Sequence, residues 1–251
     1  MKISECGMRI LIGAALSFEV VAACSGQADG ENDLGAKLAQ ATLASARAYA
    51  SEGRRNWLNC EDQIMGEIEM TAVCAAEKSI AESLRGIQQL RGDWGDKGPE
   101  YARTAEAKYF HILLNEGIGS ENPIVRLHVL TRMFAFCDDG EYMTKDGKAR
   151  CGEEVESGCL RILEQDSDGL NRQVALEILG MGYASSASES KLGQIASIPN
   201  RKGERCIRVF ENGSQQGEGT DLDRLAKEYD NKLSPCEREL ARQALKVLRK
   251  K

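Results

Sequence analysis

At 251 residues the chain is long enough for one sizeable hydrophobic core or an extended helical array. Aromatic residues make up only 5% of it, which disfavours a β-sandwich, whose strands want aromatic and β-branched side chains. The net charge of −6 argues against a nucleic-acid partner, which demands a basic surface; the basic run Lys246–Lys251 suits a helix C-terminus, where the macrodipole favours cations.

In chain order, the first segment carries Lys2 and Arg9, then an apolar run from Ile10 to Phe18, then Val21-Ala22-Ala23-Cys24. Glu19 interrupts the run at about half of the ~20 apolar residues that a membrane span needs. The four residues ending in Cys24 resemble the lipobox of bacterial lipoprotein signals: an aliphatic residue, two small ones, then the cysteine to be lipidated. The resemblance covers residues 1–24. It implies a signal peptide over 1–23 and a mature N-terminus at Cys24 carrying acyl chains. It also implies a place in the cell envelope, and Ser25 after the cysteine implies the outer membrane, facing the periplasm. Translation from either Met1 or Met8 is compatible with it. The alternatives are an ordinary cleavable signal and a buried N-terminal helix.

Nine cysteines, at 6, 24, 60, 74, 137, 151, 159, 206 and 236, form no CxxC pair and no cluster with histidine. That pattern suits disulfides in an oxidising compartment rather than zinc or a redox motif. Loss of Cys6 with the signal and use of Cys24 for lipid leave seven, so one thiol stays free or pairs with another chain. Cys137 with Cys151 is the best pair, stapling the polar loop between them. Cys60 can meet Cys74 only if the chain turns, because one straight helix would hold them ~21 Å apart. Cys151 and Cys159 cannot pair if they share a helix.

Residues 24–35 are polar, glycine-containing and without apolar period, as in a flexible tether. Helical spacing then dominates the segment 36–251, which divides naturally into 36–92 and 99–251. Leu34, Leu38, Ala41, Ala44 and Ala48 make one stripe; Ile64, Ile68, Ile80, Leu84, Ile87 and Leu90 make another, broken near Thr71. Gly92–Gly98 is a loop, and Pro99 suits the first turn of a helix that ends at Gly117. Pro123 opens the next helix, with Val125, Leu127, Val129, Leu130 and Phe134 inward. Glu153–Gln165 and Asn171–Met181 flank a break at Asp166–Gly169. Ser185–Ser190 reads as a loop before a helix that stops near Pro199. Cys206–Phe210 reads as a short helix, Thr220 with Asp223 as a capping box, and Ser234 as the cap of a final helix from Pro235. No strand is expected.

The segments 125–130 (VRLHVL), 174–179 (VALEIL) and 243–248 (QALKVL) share an apolar pattern at offsets of 49 and 69 residues. With their flanking hairpins they resemble divergent HEAT-type helical repeats over Pro99–Lys251, although the offsets are unequal. The expected fold is all-α, stacked helical hairpins forming either a HEAT-like solenoid or an irregular bundle; stacked repeats would offer a concave face to a partner.

No catalytic residue, metal ligand or cofactor site is indicated. His111 and His128 sit within apolar helices, and neither belongs to a hydrolase or metalloprotease motif. Glu164, Asp166, Asp168 and Gly169 match the start of an EF-hand loop. Position twelve is Ala175 instead of a glutamate, so an acidic turn whose Asp168 or Asn171 caps the next helix is the better reading. Asp138, Asp139 and Glu141, in the loop between Cys137 and Cys151, are candidates for recognising a basic partner. Trp94, in a glycine-rich loop, is a candidate interface anchor. These features favour a lipid-anchored helical module that binds another protein, in a narrower version an immunity-type protein. The alternative is a periplasmic enzyme with a carboxylate pair on a helical fold, which would need a cleft holding two acids roughly 5–10 Å apart.

Overall fold

The computed structural model describes residues 17–55, 60, 70–93, 98–138, 151–198, 209 and 236–250, with backbone alone at 17–33, 91–93 and 138. Among these residues there are eight α-helices and no strand: α1 (Ser17–Ser51), α2 (Ala72–Asp93), α3 (Gly98–Ile112), α4 (Pro123–Asp138), α5 (Gly152–Gln165), α6 (Gly169–Ile178), α7 (Ser186–Ala196) and α8 (Glu237–Leu248). The α3 and α6 helices each run on into one π-helical turn, Leu113–Gly117 and Leu179–Tyr183. No described helix is long and apolar enough to cross a membrane.

The helix starts follow local chemistry. Thr71 Oγ1 accepts the Cys74 N–H and Asn122 Oδ1 the Ile124 N–H, at the heads of α2 and α4. Asp168 caps α6 by accepting from the Leu170 and Asn171 N–H groups. Ser185, expected within a loop, instead caps α7 through the Ala187 N–H, so Ser186–Ser190 already lie in the helix. The last helix starts at Glu237 with Cys236 at its N-cap and no side-chain cap bond, two residues beyond the expected start at Pro235. The short helix expected at Cys206–Phe210 and the capping box at Thr220 lie outside the described residues, apart from Val209.

The helices pack in the order in which they occur. α1 lies against α2, α3 and α4; α4 touches α5 and α6; α6 touches α8, and α7 pairs with α8. The three look-alike segments therefore sit on second helices of hairpins, and those second helices contact one another in series, α4 to α6 to α8. Val125, Leu127, Val129 and Leu130 are buried, as are all six residues from Val174 to Leu179. At the end of the series, α8 buries Leu240, Ala241, Ala244 and Leu245 and turns its polar side outward.

Two expectations shift near the start. The α1 helix runs through residues 24–35, where a tether was expected, and Leu34 and Gly35 already belong to the packed body. Gly35 is a notch at a helix crossing: a Cβ there would stand 2.0 Å from the Ala105 carbonyl oxygen of α3. The α1 stripe is also rotated, because Ala44 is exposed while Leu43 and Tyr49 are fully buried. Alanine fits either side of a helix, and the larger side chains decide which face turns inward.

The hairpins are stitched together at the heads of the second helices. Asp166, in the α5–α6 turn, takes two hydrogen bonds from the Arg126 guanidinium of α4, at 2.6 and 2.7 Å. It also accepts from Asn171 Nδ2 and from the Asp168 N–H, while Asn171 donates to the Pro123 carbonyl. Arg172 of α6 holds Glu237 of α8 at 2.7 and 2.8 Å and donates to the Leu163 carbonyl. The Asp166 side chain is 1% exposed and that of Arg126 15%. Removing one partner of such a pair strands a buried charge. Asp166→Ala is therefore expected to lower the unfolding free energy by about 3–5 kcal/mol, read from urea titration. Arg126→Met added to Asp166→Leu should recover much of that loss, and a double variant no better than Asp166→Ala would show that the loss comes from the missing pair and not from a stranded charge.

Candidate functional site

Two of the expected cysteine pairs are present. Cys60 and Cys74 are joined with Cα atoms 5.2 Å apart, and Cys137 and Cys151 with Cα atoms 5.7 Å apart. The chain does turn between Cys60 and Cys74, since Cys74 lies in α2 and Cys60 precedes that helix. Cys137, in the last turn of α4, and Cys151, at the N-cap of α5, bring the ends of the acidic segment 138–150 together. Just beyond the staple, Glu153 and Glu154 occupy the first turn of α5, where the helix dipole favours them. Of the interaction candidates, Asp138 is the last residue of α4, described by its backbone alone; Trp94, Asp139 and Glu141 lie outside the described residues.

Cys236 is also disulfide-bonded, while Cys159 is a free thiol with no exposure to solvent. Burial, with Glu156 beside it, pushes that thiol well above its ordinary pKa, which leaves it protonated and unreactive. Cys24 lies on α1, described by its backbone alone.

The acidic turn behaves as a helix start. Asp168 caps α6 and pairs with Arg55 at 2.9 Å, and Asp166 is enclosed by Arg126 and Asn171. Guanidinium groups occupy the positions a calcium ion would need. Burial alone would raise the Asp166 pKa, but hydrogen bonds from Arg126, Asn171 and the Asp168 N–H, with the Arg126 charge, hold it below the ordinary value. Three further buried or half-buried carboxylates are similarly engaged. Glu77 takes Arg132 and Ser45, Glu156 takes the Ser185 N–H and hydroxyl, and Glu177 takes Gln173 and the Val209 N–H. A general acid needs a carboxyl whose pKa is raised toward neutrality, and Asp166 has moved the other way. Among the described residues no three His, Cys, Asp or Glu side chains are disposed to hold a metal ion.

The two histidines separate. His111 is exposed and hydrogen-bonds to Asn115 at 3.2 Å. His128 is 1% exposed and stacks on Tyr49 of α1, ring centroids 4.3 Å apart and planes 13° from parallel. Tyr49 in turn packs with the Cys60–Cys74 disulfide and Val73 in a satellite core beside the main one. The sequence gives no sign of this stack, because 79 residues separate the two rings.

No protein-family model matches the chain, and neither a curated protein nor a solved structure matches it. Its chemistry is therefore argued from its own residues.

Burial lowers the His128 pKa from 6.5 to about 4; a hydrogen bond with the Arg54 backbone opposes the fall, and the charges of Arg132 and Arg55 add to it. The unfolded chain takes up this proton near pH 6.5 and the folded chain only near pH 4. The stabilisation is thus complete above pH 6.5 and lost as the pH falls toward 4, a change of about 3 kcal/mol. Urea midpoints across that window should slope more steeply for the native chain than for His128→Gln. Parallel slopes would mean that the imidazole is accessible to protons in the folded state.

Proposed function

We propose that this chain is an envelope lipoprotein, anchored through acyl chains on Cys24, whose all-α body works by binding another protein. On this reading it faces the periplasm from the outer membrane. HEAT-type stacking of the hairpins would supply the binding surface, and neutralising an incoming toxin is the narrower version of the role.

The observation that carries the reading is the distribution of the cysteines. Four are paired with one another, Cys236 is paired, and the free Cys159 is sealed in the core. The partner of Cys236 must come from Cys6, Cys24 and Cys206. If Cys6 leaves with the signal and Cys24 carries lipid, Cys206 remains, and the odd thiol is the one that the fold keeps from solvent. Disulfides also suit an exported protein better than a cytosolic one. Binding is favoured over catalysis because the buried Glu156, Asp166 and Glu177 are committed to structural partners, while the polar segment 138–150 is held at both ends by the Cys137–Cys151 staple. A stapled loop loses less conformational entropy on binding than a free one.

Peptide mapping under non-reducing conditions should find Cys206 joined to Cys236; a Cys24–Cys236 peptide would remove the basis for lipidation. Separately, Cys24→Ala should move the protein from the detergent-extracted fraction to the soluble one. Crosslinking in the host membrane should then capture one protein in stoichiometric amount. A properly anchored protein that captures none would argue for an enzyme or a small-ligand receptor instead.

A further inference from the structure

The charge of this chain is unevenly placed. The last 15 residues hold six cations and two carboxylates, a net +4, so the first 236 hold −10 of the overall −6. The cations lie on α8 and just beyond it. Arg242, Lys246, Arg249 and Lys250 are exposed, and Arg238 is half-buried. Arg242 and Lys246 are four residues apart and stand one above the other on the outward side of the helix, while Arg238, one turn earlier, borders the face of the inward Leu240, Ala241, Ala244 and Leu245.

The carboxylates of α8 do not neutralise these cations. Glu237 is turned inward to Arg172, and Glu239 keeps its charge, bonds to the neutral Gln243 amide at 3.3 Å and forms no ion pair among the described residues. Arg249 has one loose contact, 3.8 Å to Glu189, with both side chains about half exposed or more. Arg242, Lys246 and Lys250 pair with no carboxylate among the described residues. The helix dipole accounts for cations in the last turn, but Arg238 in the first turn and Arg242 in the second gain nothing from it. A set of cations on the end helix of an otherwise acidic body has the charge of a surface that meets an anionic one.

We propose that the outward face of α8 docks on an anionic lipid bilayer. Basic side chains near such a surface attract it within about a Debye length, roughly 10 Å at moderate salt, while the acidic remainder of the chain is repelled. The two effects together turn the body so that the α8 end lies against the headgroups. This rests on the lipid-anchored reading only for what keeps a bilayer nearby; the docking face is a property of the folded body alone.

The test uses the full chain carrying Cys24→Ser, so that no acyl anchor contributes, and measures co-sedimentation with vesicles of phosphatidylcholine alone or mixed with phosphatidylglycerol. Binding should require the phosphatidylglycerol, weaken steeply with added salt, and fall more than about tenfold in Arg242→Gln/Lys246→Gln, whose exposed substitutions leave the helical circular dichroism unchanged. Equal binding to both vesicle types, or an unaffected double variant, overturns the proposal. So does salt-sensitive self-association of the chain, lost in the double variant, without vesicle binding; these cations would then meet the acidic surface of a second copy. Failure of the anchor reading would show instead in the fractionation of Cys24→Ala and leaves this experiment intact.

Discussion

The register between the α3–α4 and α5–α6 hairpins depends on the pair formed by Arg126 and Asp166. The turn from α5 to α6 is three residues long and carries two carboxylates pointing to different helices. Asp166 clamps the head of α4, and Asp168 both caps α6 and holds Arg55 from the chain leaving α1. Moving α6 relative to α4 by one turn would break the two guanidinium bonds together with the Asn171 bond to the Pro123 carbonyl. Hydrophobic contacts between aliphatic helices tolerate such slippage, since one leucine serves nearly as well as another. Taking these charges from water costs most of what their attraction returns. What the pair adds is therefore register more than net stability.

The look-alike second helices show the same division of labour. Their fourth position is polar in all three cases: His128, Glu177 and Lys246. On α4 and α6 that side chain is buried, and it meets the backbone of a connecting segment: Arg54 for His128 and Val209 for Glu177. Peptide groups that meet the body need partners, and a polar residue on the neighbouring helix supplies one in each case. On α8 the equivalent Lys246 is exposed. The same position in three look-alike segments thus differs in chemistry with its surroundings.

Local signals in the sequence were sufficient for most elements. Pro123, the acidic turn at 166–168 and the apolar spacing of α3–α6 specify helices through interactions within a few residues. The Cys137–Cys151 pair was legible because its loop was short and polar. Other features depend on distance along the chain. Gly35 reads as a linker residue because its role is a close crossing with Ala105, 70 positions away. Ala44 and Leu43 could each have pointed inward, and long-range packing, with Tyr49 on His128 and Gly35 on Ala105, fixes the rotation of α1. Ser185 was read as a loop residue because its neighbours are small; the same smallness makes it a cap that Glu156 can reach with both carboxylate oxygens. The expected interaction residues Trp94, Asp139 and Glu141 carry a charge or an aromatic surface but no spacing rule, so sequence could nominate them without relating them to the fold.

The described titratable groups divide between a fixed core and a freer surface. A catalytic acid or base must exchange a proton during turnover, so it needs a pKa near the working pH and a lone pair not spent on structure. In this body the titratable groups with the most perturbed surroundings have moved away from neutrality. His128 is driven to about 4, Tyr109 is pushed up to about 12 by burial, and Asp166 is held low by its donors. Each is fixed in one protonation state by the packing that positions it. The uncommitted charge lies outside the core, in the cations of α8 and the glutamates at the head of α5. Charges in that position act through long-range attraction and the orientation of an encounter, where no proton need move.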